Sequence, residues 1–196
     1  MASQHTPCGI ELPQVFLDGP TDIEHIRSFA MQAETLGYDS LWLQERISGD
    51  FNMLEPVTLL SYVAAITTKL KLGTSVILLP LRNPLQLAKA YSSLDVMSGG
   101  RAVLGVGLGG GHLGSHEDVL GYSREGRVTR FNEAVQIIKL LWTKPKASFQ
   151  GRYWNFKEIS MATIEPDWMD CNAPAIPRKW AFLPNLRQKI VKRDMY

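Results

Sequence analysis

A strand–helix unit recurs in this sequence at a fixed spacing, and this repeat limits the possible folds more than any other feature. Short apolar runs begin at residues 39, 70 and 101, a period of 31 residues, and a segment with helical spacing of apolar residues follows each run. Units of this length predict parallel strands joined by crossover helices. With an earlier apolar run, the repeat predicts four parallel strands in sequential order, near 9–16, 39–43, 70–76 and 101–107.

Residues that start and stop helices fall where this repeat needs them. Thr21 and Glu24 lie three residues apart before an apolar stripe, which is typical of a capping box at a helix N-terminus. Pro56 and Pro84 stand at the starts of the second and third helical segments, where a missing N–H costs nothing. Gly37 follows the first segment, where a left-handed residue commonly ends a helix, and the third segment is expected to end before Gly99.

Composition indicates an ordinary globular protein with a small-molecule ligand. The chain has 196 residues, 45% of them hydrophobic and 20% charged, and its net charge of +2 is too small to favour nucleic acid or an anionic membrane as a partner. Its N-terminus lacks the pattern of a signal peptide, and no apolar run is long enough to span a membrane. We therefore expect a cytoplasmic protein in which Cys8 and Cys171 are reduced thiols.

Six segments of the chain resemble the luciferase-like flavin and deazaflavin oxidoreductases. In order, they are Ala33–Trp42, Leu70–Val76, Pro80–Lys89, Leu94–Arg101, Leu104–Gly109 and Gly151–Phe156. Their order and spacing, more than any one segment, carry the resemblance. It implies a parallel (β/α)₈ barrel of the TIM type with its site at the C-terminal ends of the strands. It also implies FMN or a deazaflavin coenzyme, and hydride or oxygen chemistry on a small organic substrate.

The strand–helix rhythm ends near Met161, which predicts two unequal parts. Residues 1–161 are expected to form the N-terminal portion of a luciferase-like barrel, and residues 162–196 a divergent, irregular tail with a solvated basic cluster. Since a closed barrel of eight units needs about 250 residues, we expect an incomplete barrel of about four units. Leu41, Leu43, Leu72 and either Val103 or Leu104 are then expected to lie on an inner face that lacks its opposite wall. Trp42 and Met97 are expected in the core.

Two charged residues directly follow the second strand and are the catalytic candidates. Glu45 would orient or protonate the substrate and Arg46 would face the cofactor, although an arginine is useless as a general acid at neutral pH. A structural ion pair at the strand end is the alternative. Arg82, between two prolines in the third loop, would meet an anionic cofactor tail, or it is an ordinary surface arginine.

Two further strand ends supply candidates for cofactor binding. The resemblance implies that Thr74, Ser75 and Val76 lie behind the isoalloxazine ring of the cofactor, with a non-prolyl cis peptide at Ser75–Val76. Gly107 and Gly109 belong to a G-x-G-x-x-G match, which we reject as a dinucleotide fingerprint because no helix starts at its second glycine. We expect these glycines to let the backbone approach a flat ring.

No metal site is expected. His112 and His116 lie four residues apart among glycines, which indicates a loop, and no third ligand is spaced to help them.

Two functions remain open at this stage. The first is an oxidoreductase or monooxygenase of the luciferase-like class, and the second is a truncated, non-catalytic barrel fragment that binds or oligomerises. Open strand edges predict self-association in either case, so we expect a homo-oligomer.

Overall fold

The structure is a computed structural model that describes residues 6–17, 19–47, 52–109 and 125–161. The strands are β1 (Gly9–Glu11), β2 (Ser40–Leu43), β3 (Lys71–Thr74), β4 (Ile77–Leu78), β5 (Ala102–Val103), β6 (Val106–Gly107), β7 (Ala147–Gln150) and β8 (Asn155–Ile159). The helices are α1 (Ile23–Thr35), α2 (Pro56–Ile66), α3 (Pro84–Ser98) and α4 (Arg127–Thr143), and a single 3₁₀ turn covers Leu79–Leu81. The predicted tail, residues 162–196, and the pair His112 and His116 lie outside the described residues.

Four strands form a parallel sheet in the order β1-β2-β3-β5, which confirms the predicted topology. The predicted third and fourth strands are each divided. The chain leaves the main sheet after Thr74 and after Val103, and β4 then pairs with β6 in a second, parallel ladder. The first strand ends at Glu11, well before the end of its apolar run. A separate antiparallel hairpin, β7–β8, follows α4.

Two of the helix starts were predicted to the residue. α2 and α3 begin at Pro56 and Pro84, and α3 ends before Gly99, as expected. Gly37, the predicted left-handed residue after the first helix, has a φ of +82°. The predicted capping box is wrong. The N-cap of α1 is Asp22, whose carboxylate accepts the His25 N–H at 2.9 Å, so the helix is capped one residue later than expected.

The hydrophobic core lies between the sheet and the helices. Leu41, Leu43 and Leu72 are 0% exposed and belong to the core cluster that includes residues of all four helices. The expectation that these leucines face an open interior is therefore wrong, because they occupy the opposite face of the sheet. Burial of each contributes about 1.5–3 kcal/mol. Met97, expected in the core, is 60% exposed at the end of α3.

Two charged side chains stabilise the N-terminal end of the sheet, where the parallel strands begin. The Glu34 carboxylate accepts backbone N–H groups of Thr68, Lys69 and Leu70 at 2.6–3.2 Å. Despite the opposing effect of burial, these hydrogen bonds hold the pKa of Glu34 below its usual value. The Arg101 guanidinium donates to carbonyls at the C-terminus of α2 and at Leu70. This end of the sheet is built for stability.

The hairpin is fixed to α4 by one carboxylate. Glu133, a buried residue of α4, accepts the backbone N–H groups of Arg152 at 2.7 Å and Tyr153 at 3.0 Å in the hairpin turn. The Arg130 and Arg152 guanidinium groups stack on the Tyr153 ring, 5.0 and 5.4 Å from its centroid. The segment Gly151–Phe156, one of the six that resemble the family, thus packs against the fourth helix.

Candidate functional site

The parallel strands bring their C-terminal ends to one edge of the sheet, which is where (β/α)₈ barrels place their sites. Residues in register on parallel strands share a face, so Glu11, Trp42, Gly73 and Val103 lie side by side. Their face is opposite to that of the buried leucines. We call it the inner face, and it includes Gly9, Glu11, Ser40, Trp42, Lys71, Gly73 and Val103.

A tryptophan ring crosses the inner face. A Cβ atom placed on Gly73 would lie 2.5 Å from Cε3 of Trp42, and one on Gly9 would lie 2.5 Å from its Nε1. The ring therefore extends from β1 to β3 over two positions that have no side chain. Its Nε1–H donates to the Ser40 hydroxyl at 2.9 Å, which fixes its orientation. This half-buried aromatic surface is the largest group on the inner face.

A polar chain of three side chains lies beside this ring, at the end of β1. The buried amide of Gln14 accepts the Gln44 backbone N–H at 2.7 Å and donates to the Gln44 carbonyl at 3.1 Å. In this way it continues the pairing of β1 with β2. The Gln44 side-chain amide then donates to Oε1 of Glu11 at 2.6 Å.

Glu45 lies in an ion-pair network at the end of β2. Its side chain is 1% exposed, its Oε2 accepts the Leu78 N–H at 2.5 Å, and its Oε1 accepts from Nη2 of Arg82. The same Nη2 donates to Glu55 at 2.9 Å, and Glu55 also caps α2 by accepting the Thr58 N–H at 2.7 Å. The arrangement joins β2, α2 and the loop after β4 through an ion pair of Glu45 with Arg82.

The charges in this network support one another. Burial alone would raise the pKa of Glu55, but the Thr58 backbone N–H and the Arg82 charge hold it below its usual value. Burial likewise opposes the charge on Arg82, yet Glu45 and Glu55 raise the pKa of this guanidinium. Arg82 is 27% exposed, so it is not an ordinary surface arginine. Any anionic cofactor tail would compete with two carboxylates for it.

The residues at the end of β3 point to different sides. The predicted cis peptide at Ser75–Val76 is present. Ser75 is exposed, and Val76 is partly exposed. The side chain of Thr74, however, is buried, and its hydroxyl lies 2.8 Å from the Tyr91 hydroxyl of α3 and donates to the Gly105 carbonyl at 2.9 Å. The Thr74 side chain is thus not brought to the inner face.

Neighbouring side chains account for part of the glycine pattern. A Cβ atom on Gly107 would lie 2.6 Å from Cγ2 of Val76, and one on Gly105 would overlap the Thr74 carbonyl. These glycines let β5 and β6 approach the third strand. Gly109 has a φ of +78°, and its carbonyl accepts from Arg127 at 3.2 Å. Contact of Gly107 and Gly109 with a cofactor ring stays a prediction, as does a role for the exposed Arg46.

Sequence analysis did not single out Glu11, Gln44 or Glu55. Glu11 could have been found, because it is a charged residue between Ile10 and Leu12 in an apolar run, and such alternation indicates opposite faces of a strand. Glu55 directly precedes Pro56, the predicted start of a helix, which is the position of a capping residue. Nothing in the sequence indicated that Gln44 would be held by Gln14.

Two negative findings apply to the described ranges alone. Among them there is no group of three His, Cys, Asp or Glu residues arranged to hold a metal ion. None of the helices in these ranges is long and apolar enough to cross a membrane.

Comparisons with known proteins identify close sequence relatives. The chain is 34% identical over 141 residues to the F420-dependent glucose-6-phosphate dehydrogenase of Kineococcus radiotolerans, covering 69% of this chain and 42% of that protein. It is 31% identical over 144 residues to the 5,10-methylenetetrahydromethanopterin reductase of Methanolobus tindarius, covering 73% of this chain and 42% of that protein. The chain thus spans less than half the length of these relatives.

Solved structures show the same fold. A monooxygenase from Streptomyces bottropensis superposes with a TM-score of 0.69 at 24% identity, over 80% of this chain and 49% of that one. An F420-dependent secondary alcohol dehydrogenase gives 0.67 at 21% identity, over 81% of this chain and 48% of that one. The oxygenating component of 3,6-diketocamphane monooxygenase from Pseudomonas putida, solved with FMN, also gives 0.67, at 22% identity over 80% of this chain and 45% of that one.

The sequence model of the luciferase-like monooxygenases matches residues 5–175, which is most of the chain. The architecture agrees with it, since four parallel strands in sequential order carry their helices on one face. The chain belongs to the luciferase-like monooxygenase family of (β/α)₈ barrel proteins.

Proposed function

We propose that this chain supports the oxidoreduction of a small organic substrate with coenzyme F420, a deazaflavin, at the C-terminal ends of its strands. Two relatives support the choice of cofactor: a glucose-6-phosphate dehydrogenase named as F420-dependent, and a secondary alcohol dehydrogenase solved with an F420–acetone adduct. They also favour a substrate with a hydroxyl group. FMN, present in one structural neighbour, is the alternative cofactor.

The observation that carries this proposal is the inner face. A flat ring system needs a flat, mostly apolar wall with a small number of placed polar groups. Trp42, Gly73 and Val103 form such a wall, and Glu11 lies in register with them at the end of β1. The exposed Ser75 and the adjoining Val76 lie at the same edge of the sheet. These residues fit the ring of a flavin or a deazaflavin.

When bound, the deazaflavin accepts or supplies the hydride, and the protein contributes binding and orientation. Glu45 is enclosed by Arg82 and Leu78, so its effect on a ligand would pass through the position of Arg82. Arg46 is exposed and permanently charged, which suits it to bind an anionic group and not to transfer protons. Gly107 and Gly109 would border the ring from the fourth strand.

A fluorescence titration of the full chain with F420, and separately with FMN, tests this function. We expect F420 to bind more tightly than FMN, and both more weakly than about 1 μM, because the described strands surround a ring on one side only. The variant Gly73→Val should weaken binding, whereas Leu36→Val on the exposed end of α1 serves as a control. If neither F420 nor FMN binds, the proposal is refuted.

A second candidate function is a non-catalytic module that binds or self-associates. In the described part of the sheet, β1 and β5 each have one neighbouring strand, so their outer edges present free N–H and C=O groups. A second copy of the chain could cover these edges, and a homo-oligomer therefore stays a proposal for either function. The cytoplasmic location expected from the sequence stays a prediction.

A further inference from the structure

Tyr91 of α3 carries a hydroxyl group that core packing does not require. Its side chain is 1% exposed and belongs to the hydrophobic core between the helices and the sheet. A phenylalanine would fill the same space, and burial of a hydroxyl costs free energy unless the group is hydrogen-bonded. Within the described residues, the one partner of this hydroxyl is that of Thr74, at 2.8 Å. The reason for a tyrosine at this position therefore lies at the end of β3.

The Thr74 hydroxyl uses all of its hydrogen-bonding capacity. It donates to the Gly105 carbonyl at 2.9 Å and accepts the Gly105 N–H at 3.2 Å. A threonine hydroxyl has one proton and two acceptor sites, so the remaining contact is a hydrogen bond that Tyr91 donates. Burial raises the pKa of Tyr91, so its hydroxyl keeps this proton at neutral pH. The tyrosine thus fixes the direction in which the Thr74 hydroxyl points.

Gly105 lies where the fourth strand is divided, as Thr74 lies at the division of the third strand. The Gly105 carbonyl also accepts the Ile77 N–H at 2.9 Å, at the start of the β4–β6 ladder. A Cβ atom on Gly105 would overlap the Thr74 carbonyl, so the two corners are in contact without an intervening side chain. A shift of Thr74 is therefore passed directly to Gly105 and Ile77.

The two corners carry residues that are predicted to contact a cofactor. Ser75 is exposed and Val76 partly exposed, and both directly follow Thr74. Gly107, two residues after Gly105, packs so closely that an added Cβ atom would lie 2.6 Å from Cγ2 of Val76. The residues at the candidate site are thus joined to a polar contact on the helix side of the sheet.

We propose that Tyr91 is a positioning residue for cofactor binding. Through Thr74, its hydroxyl sets the place of segments 75–77 and 105–107 relative to each other. The inference rests on the proposed function for the identity of the cofactor, whereas the geometry that Tyr91 controls belongs to the protein alone. Removal of the hydroxyl leaves the core filled and lets the two corners shift against each other.

The chain offers matched variants for a test in the full-length protein. Tyr91→Phe removes the hydroxyl and keeps the ring. Thr67→Val is the control, because it removes another buried hydroxyl, one that donates to the Val63 carbonyl and accepts from Arg101 at the opposite end of the sheet. A loss of stability would be common to both variants, whereas an effect on the two corners should be confined to Tyr91→Phe.

Amide hydrogen exchange, followed by NMR, tests the positioning role without a cofactor. We expect Tyr91→Phe to speed the exchange of the Ile77 and Gly105 N–H groups by about three- to tenfold relative to amides of β2, as the loss of one hydrogen bond predicts. Thr67→Val should leave this ratio of rates unchanged. A ratio that stays the same in Tyr91→Phe, or that changes equally in both variants, would overturn the proposal whether or not a cofactor binds.

Fluorescence titration then measures the effect on the site. We expect Tyr91→Phe to raise the dissociation constant for F420, or for FMN, by about three- to tenfold, and Thr67→Val to leave it unchanged. In a Thr74→Val background the tyrosine substitution should add less than about twofold, because its hydrogen-bond partner is already absent.

The outcomes separate the two proposals. An unchanged dissociation constant in Tyr91→Phe, or a full effect of this substitution in the Thr74→Val background, would refute the positioning role. If the wild-type chain binds neither cofactor, the proposed function fails, and the exchange rates alone decide whether Tyr91 positions the two corners.

Discussion

Substitution of Arg82 should show how much the ion pair with Glu45, at the C-terminal end of β2, contributes to the free energy of unfolding. Glu45 is 1% exposed and forms an ion pair with Arg82, while Glu55 is 41% exposed and contributes less than about 1 kcal/mol through the same guanidinium. Removal of one partner of a buried pair costs about 3–5 kcal/mol. Since Arg82 is itself partly exposed, we expect Arg82→Met to lower the free energy of unfolding by about 3 kcal/mol.

The rescue by a second substitution tests this reasoning. In Arg82→Met the Glu45 carboxylate has no counter-charge, so the added substitution Glu45→Gln should restore about half of the loss. Urea unfolding of the single and the double variant, followed by circular dichroism, measures both the loss and its recovery. A loss below about 1 kcal/mol in Arg82→Met, or a double variant less stable than the single one, would contradict the argument.

Three further outcomes are expected. Gly73→Ala should displace the Trp42 ring, because the new methyl group would lie 2.5 Å from it. We expect a changed tryptophan emission spectrum and a free energy of unfolding lower by about 1–3 kcal/mol. An unchanged spectrum would contradict the close contact. Glu34→Gln should lower the free energy of unfolding by about 1 kcal/mol at neutral pH and by less in acid. The lowered pKa of Glu34 contributes stability that is lost as the pH falls through the pKa of the folded state. Equal losses at both pH values in thermal unfolding would argue against this. Sedimentation of the chain should show association that increases with concentration, and a single monomeric species at all concentrations would refute the proposed role of the open strand edges.

Strand order and helix starts could be predicted because local signals determine them. The 31-residue period indicates one strand–helix unit per repeat. Pro56 and Pro84 favour a helix start, and Gly99 a helix end, through their own backbone geometry, whatever residues pack against them. The cap of α1 was misplaced because Thr21 and Asp22 are both good capping residues, and the choice between them depends on which side chain reaches the free N–H groups.

The candidate site was harder to predict because faces of a sheet are ambiguous in apolar runs. Leu41, Trp42 and Leu43 are all apolar, so the sequence does not tell which of them faces the helices, and the leucines were assigned to the wrong side. The partners of Glu45 lie 33 and 37 residues away in Leu78 and Arg82, beyond the reach of local patterns. The cis peptide was predicted only through the family resemblance.

The close packing of Trp42 on the inner face limits the combined side-chain volume at three positions that are distant in sequence: 9, 42 and 73. Trp42 fills the room that Gly9 and Gly73 leave, so a side chain at either glycine would collide with its ring. A larger residue at position 9 or 73 can therefore be accepted in evolution only together with a smaller one at position 42. Across relatives, these three positions should covary by volume, with the sum of their side chains nearly constant.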